Sequence, residues 1–360
     1  MLTRRSVLTT GTAVLMAGSS TIGKAAKSGP SEEASNRADE NKAQPGGPNR
    51  FSRVDVHAHY LPPSVKTASS AGQGHLLSSP MPSWSADEAI SFMDRHHIHT
   101  QILSLPVSAP GANLRGMNAY GASLVAASPD RFGLFASLPL PDIARSIAEI
   151  GYNFDELHAD GILFSTNYGE IYLGNPMFDP VYAELDRRHA VVFIHPDAPA
   201  CAECTALGRP GPLIEFPMNT ARSVVDMLFA GVFRRYPNIR FILAHAGGAL
   251  PTLAPRIASL GSLPWVPNPL GLKHDEILAS LGRLFYDTAI AGTGSSLWPV
   301  LELAGPDQIV FGTDYPPASE GVISENIAAL AAFKGLTARE RNMIGVNSAK
   351  LFPRLVSTGP

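Results

Sequence analysis

Cysteine is almost missing: 360 residues contain two, Cys201 and Cys204. That excludes a small scaffold held together by several disulfides in place of a core. Charge is sparse as well, with 16% Asp, Glu, Lys and Arg and a formal net charge of -3, so the chain lacks the basic face of a nucleic-acid binder. No apolar run reaches the roughly 20 residues that span a bilayer. What the chain does have is 45% hydrophobic residues, enough for a large core in one or two globular domains.

The start of the chain reads as a targeting segment. Thr3-Arg4-Arg5-Ser6-Val7-Leu8 leads into an uncharged stretch to about Gly18, then small residues and Lys24-Ala25-Ala26. These are the charged, apolar and small-residue regions of a secretory signal, and the adjacent arginines give it a twin-arginine character. Residues 1–26 are therefore expected to direct export to the periplasm or beyond, with cleavage near Ala25 or Ala26. Residues 27–50 are rich in Ser, Glu, Asn, Lys, Gly and Pro and read as a disordered linker. The folded part is expected over residues 51–360. The Cys201-x-x-Cys204 pair could close a disulfide in an oxidising compartment. A redox motif would open a helix in a βαβ unit, whereas Ala200 to Gly211 reads as a loop, and a zinc site would need further ligands nearby. The pair is read as structural or incidental.

Eight short β-rich runs follow: Arg53 to Val56, Gln101 to Leu105, Arg131 to Leu138, Gly161 to Phe164, Ala190 to His195, Arg240 to His245, Arg283 to Thr288 and Gln308 to Asp314. Their near-continuous apolar character predicts strands buried on both faces of a parallel sheet. Helical segments are predicted between them: Ser85 to Arg95 behind a serine cap, Pro180 to Arg188 with Asp179 as cap, Thr220 to Tyr236 and Ser324 to Phe333. A last helix over Leu336 to Phe352 is expected to close the barrel bottom. The connection from Tyr60 to Ser83 is long and rich in Pro, Gly and Ser, as lids and binding loops are. Alternating strands and helices over this length predict a (β/α)8 TIM barrel, with a doubly wound open sheet as the alternative.

The polar residues favour the barrel. His57-x-His59 ends the first run, His195 the fifth, His245 the sixth and Asp314 the eighth. Residues i and i+2 of a strand share a face, so His57 and His59 can hold one cation together. A lone histidine at a strand end usually packs in the core or faces solvent. Five ligand-type residues at the C-terminal ends of four strands of one barrel are a catalytic pattern, and only a closed barrel makes the first and last strands neighbours. His57, His59, His195 and Asp314 are expected to ligate one divalent metal, zinc first and manganese second. His245, one strand along from His195, is expected to move a proton near neutral pH, with Asp314 as the other candidate acid. His97, His99, His158, His189 and His274 are read as surface residues. Two-metal barrels of this kind carry a bridging lysine on the fourth strand; here Gly161-Ile162-Leu163-Phe164-Ser165 has none, which argues for one metal.

These residues carry a resemblance. Asp55-Val56-His57-Ala58-His59, Phe92-Met93-Asp94, Ile194-His195-Pro196, Tyr236-Pro237-Asn238, Leu243-Ala244-His245-Ala246-Gly247-Gly248 and Phe311-Gly312-Thr313-Asp314-Tyr315-Pro316 span nearly all of Arg53 to Phe352. They resemble the amidohydrolase superfamily, in the branch of non-oxidative decarboxylases that includes aminocarboxymuconate semialdehyde decarboxylase. Met81-Pro82-Ser83-Trp84-Ser85, Leu103-Ser104-Leu105-Pro106, Leu138-Pro139-Leu140-Pro141 and Tyr172-Leu173-Gly174 are most similar to its 6-methylsalicylate decarboxylase group. The arginine that aminocarboxymuconate enzymes place before the Met-Asp helix is missing: between Tyr60 and Phe92 there is Lys66 and no arginine. The resemblance therefore implies a metal-dependent decarboxylase of a hydroxyaromatic monocarboxylate, with a small carboxylate as substrate and a homodimer by analogy; the charge balance and the lack of a long apolar run add the expectation of no nucleic-acid partner and no membrane span. A hydrolase such as a lactonase on the same scaffold is the second reading, with His245 as base, because fold does not fix reaction. Phe164, Phe193 and Trp84 are expected to offer the substrate an aromatic wall.

Export is expected to depend on the arginine pair. Replacing Arg4 and Arg5 together with lysine should leave the protein in the cytoplasm, as fractionation would show; undiminished export of that variant would point to another route.

Overall fold

The computed structural model describes residues 53–63, 83–106 and 113–355. The expected signal over residues 1–26, the linker over 27–50 and residues 64–82 of the long connection lie outside the described residues. Among the described residues, no helix is long and apolar enough to cross a membrane.

Eight parallel strands pair in chain order: β1 (Arg53–His59), β2 (Ile98–Ser104), β3 (Phe132–Ser137), β4 (Gly161–Ser165), β5 (Val191–His195), β6 (Arg240–Leu243), β7 (Phe285–Asp287) and β8 (Ile309–Val310). The ring closes between the last and the first. Val56 N donates to Phe311 O at 2.9 Å, Asp314 N to His57 O at 2.8 Å and His59 N to Tyr315 O at 2.7 Å. Sequential order with first and last strands bonded is the (β/α)8 barrel and excludes the open-sheet alternative.

Each strand alternates between two apolar environments, as its period of two requires. On β4 and β5, Leu163, Val191 and Phe193 fill the barrel interior with Val56, Ile102 and Phe135. Ile162, Phe164, Val192 and Ile194 face outward into the larger core beneath the helices. The barrel floor is sealed by the C-terminal segment, where Leu351, Phe352 and Leu355 join the interior cluster and Phe352 meets the Phe135 ring edge-on at 5.8 Å. Arg354 ties this plug to Asp160, just ahead of β4, at 2.7 Å. The expected closing helix is two pieces, α10 (Ala338–Ile344) and a 3-10 turn at Asn347–Lys350.

The outer helices are α1 (Ala86–Arg95), α2 (Leu114–Ala127), α3 (Ile143–Asp155), α4 (Asp179–Arg187), α5 (Glu215–Ala230), α6 (Leu250–Gly261), α7 (His274–Gly282), α8 (Gly294–Ala304) and α9 (Glu320–Ala332). Ser85 caps α1 as predicted, accepting from Glu88 N at 3.2 Å. Asp179 does not cap α4; it is the first helical residue, and the cap position is Phe178 without a side-chain bond. The segment predicted from Thr220 starts earlier, because Pro217 fits the first turn of α5, and it ends at Gly231, whose φ of 81° lies in the left-handed region. A short helix at Ala202–Thr205 interrupts the expected Ala200–Gly211 loop, and Cys201 and Cys204 are joined as a disulfide.

His97, His158 and His189 are exposed, as expected of surface residues, yet each has a left-handed backbone, with φ of 54°, 53° and 52°. They lie just past the ends of α1, α3 and α4. His189 N bonds Asp186 O and Ala190 N bonds Leu185 O, both at 3.0 Å, which satisfies carbonyls the end of α4 leaves open. Histidine tolerates this conformation better than most side chains with a Cβ. His274 is exposed and His99 half-buried.

Truncating the plug should destabilise the fold without touching the top of the barrel. Phe352→Ala is expected to cost about 3–5 kcal/mol in urea unfolding, while the folded fraction keeps its metal uptake. A loss below about 1 kcal/mol would mean that the floor is not packed as described.

Candidate metal centre

Alternation on β1 alone would not bring both its valines and its histidines inside. Asp55 pairs with Gln101 and Ala58 with Leu103, so β1 carries one more residue than β2 over this stretch. This bulge lets Val54 and Val56 join the interior cluster while His57, still buried, meets the Phe193 ring at 4.9 Å. Asp55 holds the bulge. Its Oδ1 accepts from His57 N and Thr313 N, each at 3.0 Å. Its Oδ2 accepts from Gln101 Nε2 at 3.0 Å and Thr313 Oγ1 at 2.6 Å. Burial pushes the Asp55 carboxyl up to about 6, against the pull of these donors.

Above the bulge, His57, His59, His195 and Asp314 are buried together, and their ligand atoms all lie within 4.8 Å of one another. The hydrogen bonds at Nδ1 assign one tautomer to each ring. His57 Nδ1 donates to Asp287 Oδ2 at 2.6 Å. His59 Nδ1 faces Ser104 O at 3.3 Å and Ser104 Oγ at 3.0 Å, and that hydroxyl donates to Ala58 O. His195 Nδ1 donates to Pro196 O at 2.9 Å. In the neutral rings this leaves each Nε2 lone pair for the centre. His59 Nε2 is 3.1 Å from Asp314 Oδ1. His57 Nε2 is 3.2 Å from the same oxygen but is not aligned for a hydrogen bond and has no partner. An unpartnered buried nitrogen beside a carboxylate and two more imidazoles fits one divalent cation.

The electrostatics agree. Burial holds His59 down, against Asp314. It holds His195 well below the usual histidine value, helped by the two neighbouring histidines, so both rings are neutral, as ligands must be. For His57, burial also pulls down, but the Asp287 and Asp314 carboxylates overcome it and push the ring up to about 10. Burial would raise Asp314, yet His57 and His59 hold its carboxyl well below the ordinary range. The site thus favours positive charge between His57 and Asp314. Ser165 pairs with His195 across β4 and β5, where a bridging lysine would be needed for a second ion.

Two boundaries differ from expectation. Strand β6 stops at Leu243, and His245 begins a 3-10 turn with φ of 55°. Strand β8 stops at Val310, so Asp314 stands four residues beyond it, also left-handed with φ of 64°. Backbone held in this region by non-glycine residues stores strain that the surroundings must support. His245 is half-buried, its ring 4.9 Å from His57 and 6.3 Å from His195, and outside the ligand group. Its Nδ1 donates to Ala289 O at 3.0 Å, which leaves Nε2 free to carry a proton.

Sequence reasoning missed Asp287 and the part played by Asp55. Asp287 ends a strand that was recognised, and an acid at a strand top between the strands leading to His245 and Asp314 was the available signal. The expected aromatic wall is a correction. Phe164 has outward parity, Phe193 lies one layer below His195, and Trp84 is buried near Tyr60 at 6.5 Å. The cavity over the site, about 420 Å3, is instead walled by Leu213, Phe216, Pro217, Ile290 and Ala291, with His59, His195, His245 and Asp314 at its base. Its described lining contains no lysine or arginine.

A closed parallel barrel with three imidazoles and a carboxylate gathered over its strand tops is the architecture of a metal-dependent barrel enzyme. The chain belongs to the amidohydrolase family: residues 54–354 match the family model described as Amidohydrolase. A 6-methylsalicylic acid decarboxylase from Penicillium expansum is 34% identical over 317 residues, covering 85% of this chain and 97% of the relative. One from Aspergillus aculeatus is 37% identical over 327 residues, covering 84% and 96%. The crystal structure of a 2,6-dihydroxybenzoate decarboxylase complexed with 2,6-dihydroxybenzoate superposes with a TM-score of 0.72 at 25% identity, covering 84% of this chain and 99% of that one.

The turn after His245 depends on Gly248, whose φ is 60° and where an added Cβ would lie 2.3 Å from Pro217 O. Gly248→Ala should lower stability by about 1–3 kcal/mol and, by displacing the start of α5, reduce turnover of the folded enzyme. Unfolding and activity assays at wild-type levels would show that the close approach is not required.

Proposed function

We propose that this protein is a metal-dependent, non-oxidative decarboxylase of a small aromatic acid bearing a hydroxyl ortho to its carboxylate, of the 6-methylsalicylate kind. The observation that carries the reading is the cavity. Its walls are apolar, its described lining offers no cationic side chain, and its base is the four-donor cluster. Among the described residues, a carboxylate entering it finds its positive counterpart at that cluster, while a flat ring with an alkyl substituent finds Phe216, Leu213 and Ile290. The names of the similar proteins support decarboxylation over the hydrolase reading.

His57, His59, His195 and Asp314 would hold the ion, zinc first for three imidazoles and one carboxylate and manganese second. When bound, the ion supplies Lewis-acid polarisation and a fixed orientation for the carboxylate and its ortho oxygen. The chain's own groups do the rest. The ring carbon bearing the carboxylate must gain a proton before carbon dioxide departs, because an aryl carbanion is too unstable. The bond from that carbon to the carboxylate then breaks and its electron pair returns to the ring. Asp314 stands within the ligand group and His245 outside it, and the His245 Nδ1 bond to Ala289 O leaves Nε2 open to the cavity, which favours His245 as the proton donor and Asp314 as the ligand. The apolar walls exclude water around the reacting carbon. Export through the twin-arginine signal and assembly as a homodimer belong to the same proposal and rest on the sequence reading.

Two measurements test this. His57→Ala and Asp314→Ala should lose most bound metal, whereas His245→Ala should keep it and lose about 100- to 10,000-fold in turnover. Equal metal loss in His245→Ala would refute the division of roles. A metal-loaded screen should show carbon dioxide release from 6-methylsalicylate, with solvent deuterium at the vacated carbon, and much slower reaction of benzoates lacking the ortho hydroxyl. Opening of lactones with every hydroxybenzoate left intact would replace decarboxylation with hydrolysis.

A further inference from the structure

Asp287 ends β7 with its side chain fully buried, and its two oxygens face in different directions. Oδ2 is 2.6 Å from His57 Nδ1. Oδ1 accepts from His245 N at 2.7 Å and from Ala289 N at 3.0 Å. Ala289 in turn presents its carbonyl to His245 Nδ1 at 3.0 Å. One carboxylate therefore sets the tautomer of a metal-facing imidazole and fixes the backbone and, through Ala289, the ring of the histidine outside the ligand group. The approach to His57 is made past the end of β8 at Gly312, where an added Cβ would lie 3.0 Å from His57 Cβ and 3.1 Å from Asp287 Cβ.

We infer that Asp287 is a positioning residue that couples metal affinity to the placement of His245, through one oxygen for each task. The inference rests on the metal-site reading above. Asparagine at 287 separates the two tasks. Its amide oxygen can keep the His245 and Ala289 bonds, while its amide nitrogen, a donor, faces His57 Nδ1. His57 Nδ1 must then accept, and the ring proton moves to Nε2, where a cation would bind. Alanine removes both contacts.

The test is zinc titration of folded full-length protein against a chromophoric chelator, paired with turnover of 6-methylsalicylate at saturating zinc. Asp287→Asn should bind zinc about 10- to 100-fold more weakly with turnover at saturation within several-fold of wild type. Asp287→Ala should show similar loss of affinity and at least a further tenfold loss of turnover at saturating zinc. A purely structural role would lower the stability of both variants and leave the zinc affinity of the folded fraction unchanged. Wild-type affinity in Asp287→Asn overturns the tautomer half. Equal saturated turnover in the two variants overturns the coupling to His245. Because the asparagine variant is nearly isosteric, it remains informative if the alanine variant does not fold. Failure of the wild type to take up zinc would overturn the metal reading and this inference with it. Normal zinc uptake without decarboxylation would refute only the reaction, and the zinc arm would still decide the tautomer half.

Discussion

Everything at the top of this barrel depends on the first strand meeting the last. His59 and Asp314 are 255 residues apart in the chain, yet their facing atoms are 3.1 Å apart. The contact that secures this is Asp55, a buried carboxylate that accepts four donors from its own bulge, from β2 and from Thr313 beyond β8. A buried carboxylate without such partners would cost several kcal/mol; with all of them it locks one register. The same group therefore closes the ring, shapes the β1 bulge and aims His57 inward. At the opposite end, an apolar plug serves the matching purpose, and the interior layers between latch and plug leave little freedom for slippage.

Much of this was legible in the sequence, for a definite reason. Strands buried on both faces must be apolar throughout, so a polar residue at the end of such a run stands out, and His57, His59, His195, His245 and Asp314 were found that way. The helices were less legible. Alpha-helices α2, α6 and α8 contain internal glycine or proline, which weakens the apolar periodicity that reveals a helix. Packing against the barrel overrides that weakness.

Asp287 and Asp55 were hidden for another reason. Asp287 acts on a ring 230 residues away in the chain, and both carboxylates act on backbone amides, which leave no local pattern in sequence. The aromatic wall was misjudged because a period of two reveals which face a side chain takes but not its height within the barrel. Phe193 has the correct parity and sits a layer too low, while Phe216 and Ile290, which line the cavity, come from a helix and a turn that the strand pattern does not describe.

The barrel's ring closure also dictates an order of events during synthesis. Asp55, His57 and His59 leave the ribosome early, but Thr313, which latches Asp55, and Asp314, which completes the donor set, follow more than 200 residues later. Until they arrive, the first strand has one unpaired edge and a bulge with half its donors missing. The floor plug comes later still. Most contacts that define this centre are of very long sequence range, so the nascent chain gains little from them and folding must be largely post-translational. An intact cation site is consequently a sign that the chain has been made through Asp314, and it cannot serve as an early nucleus around which the rest assembles.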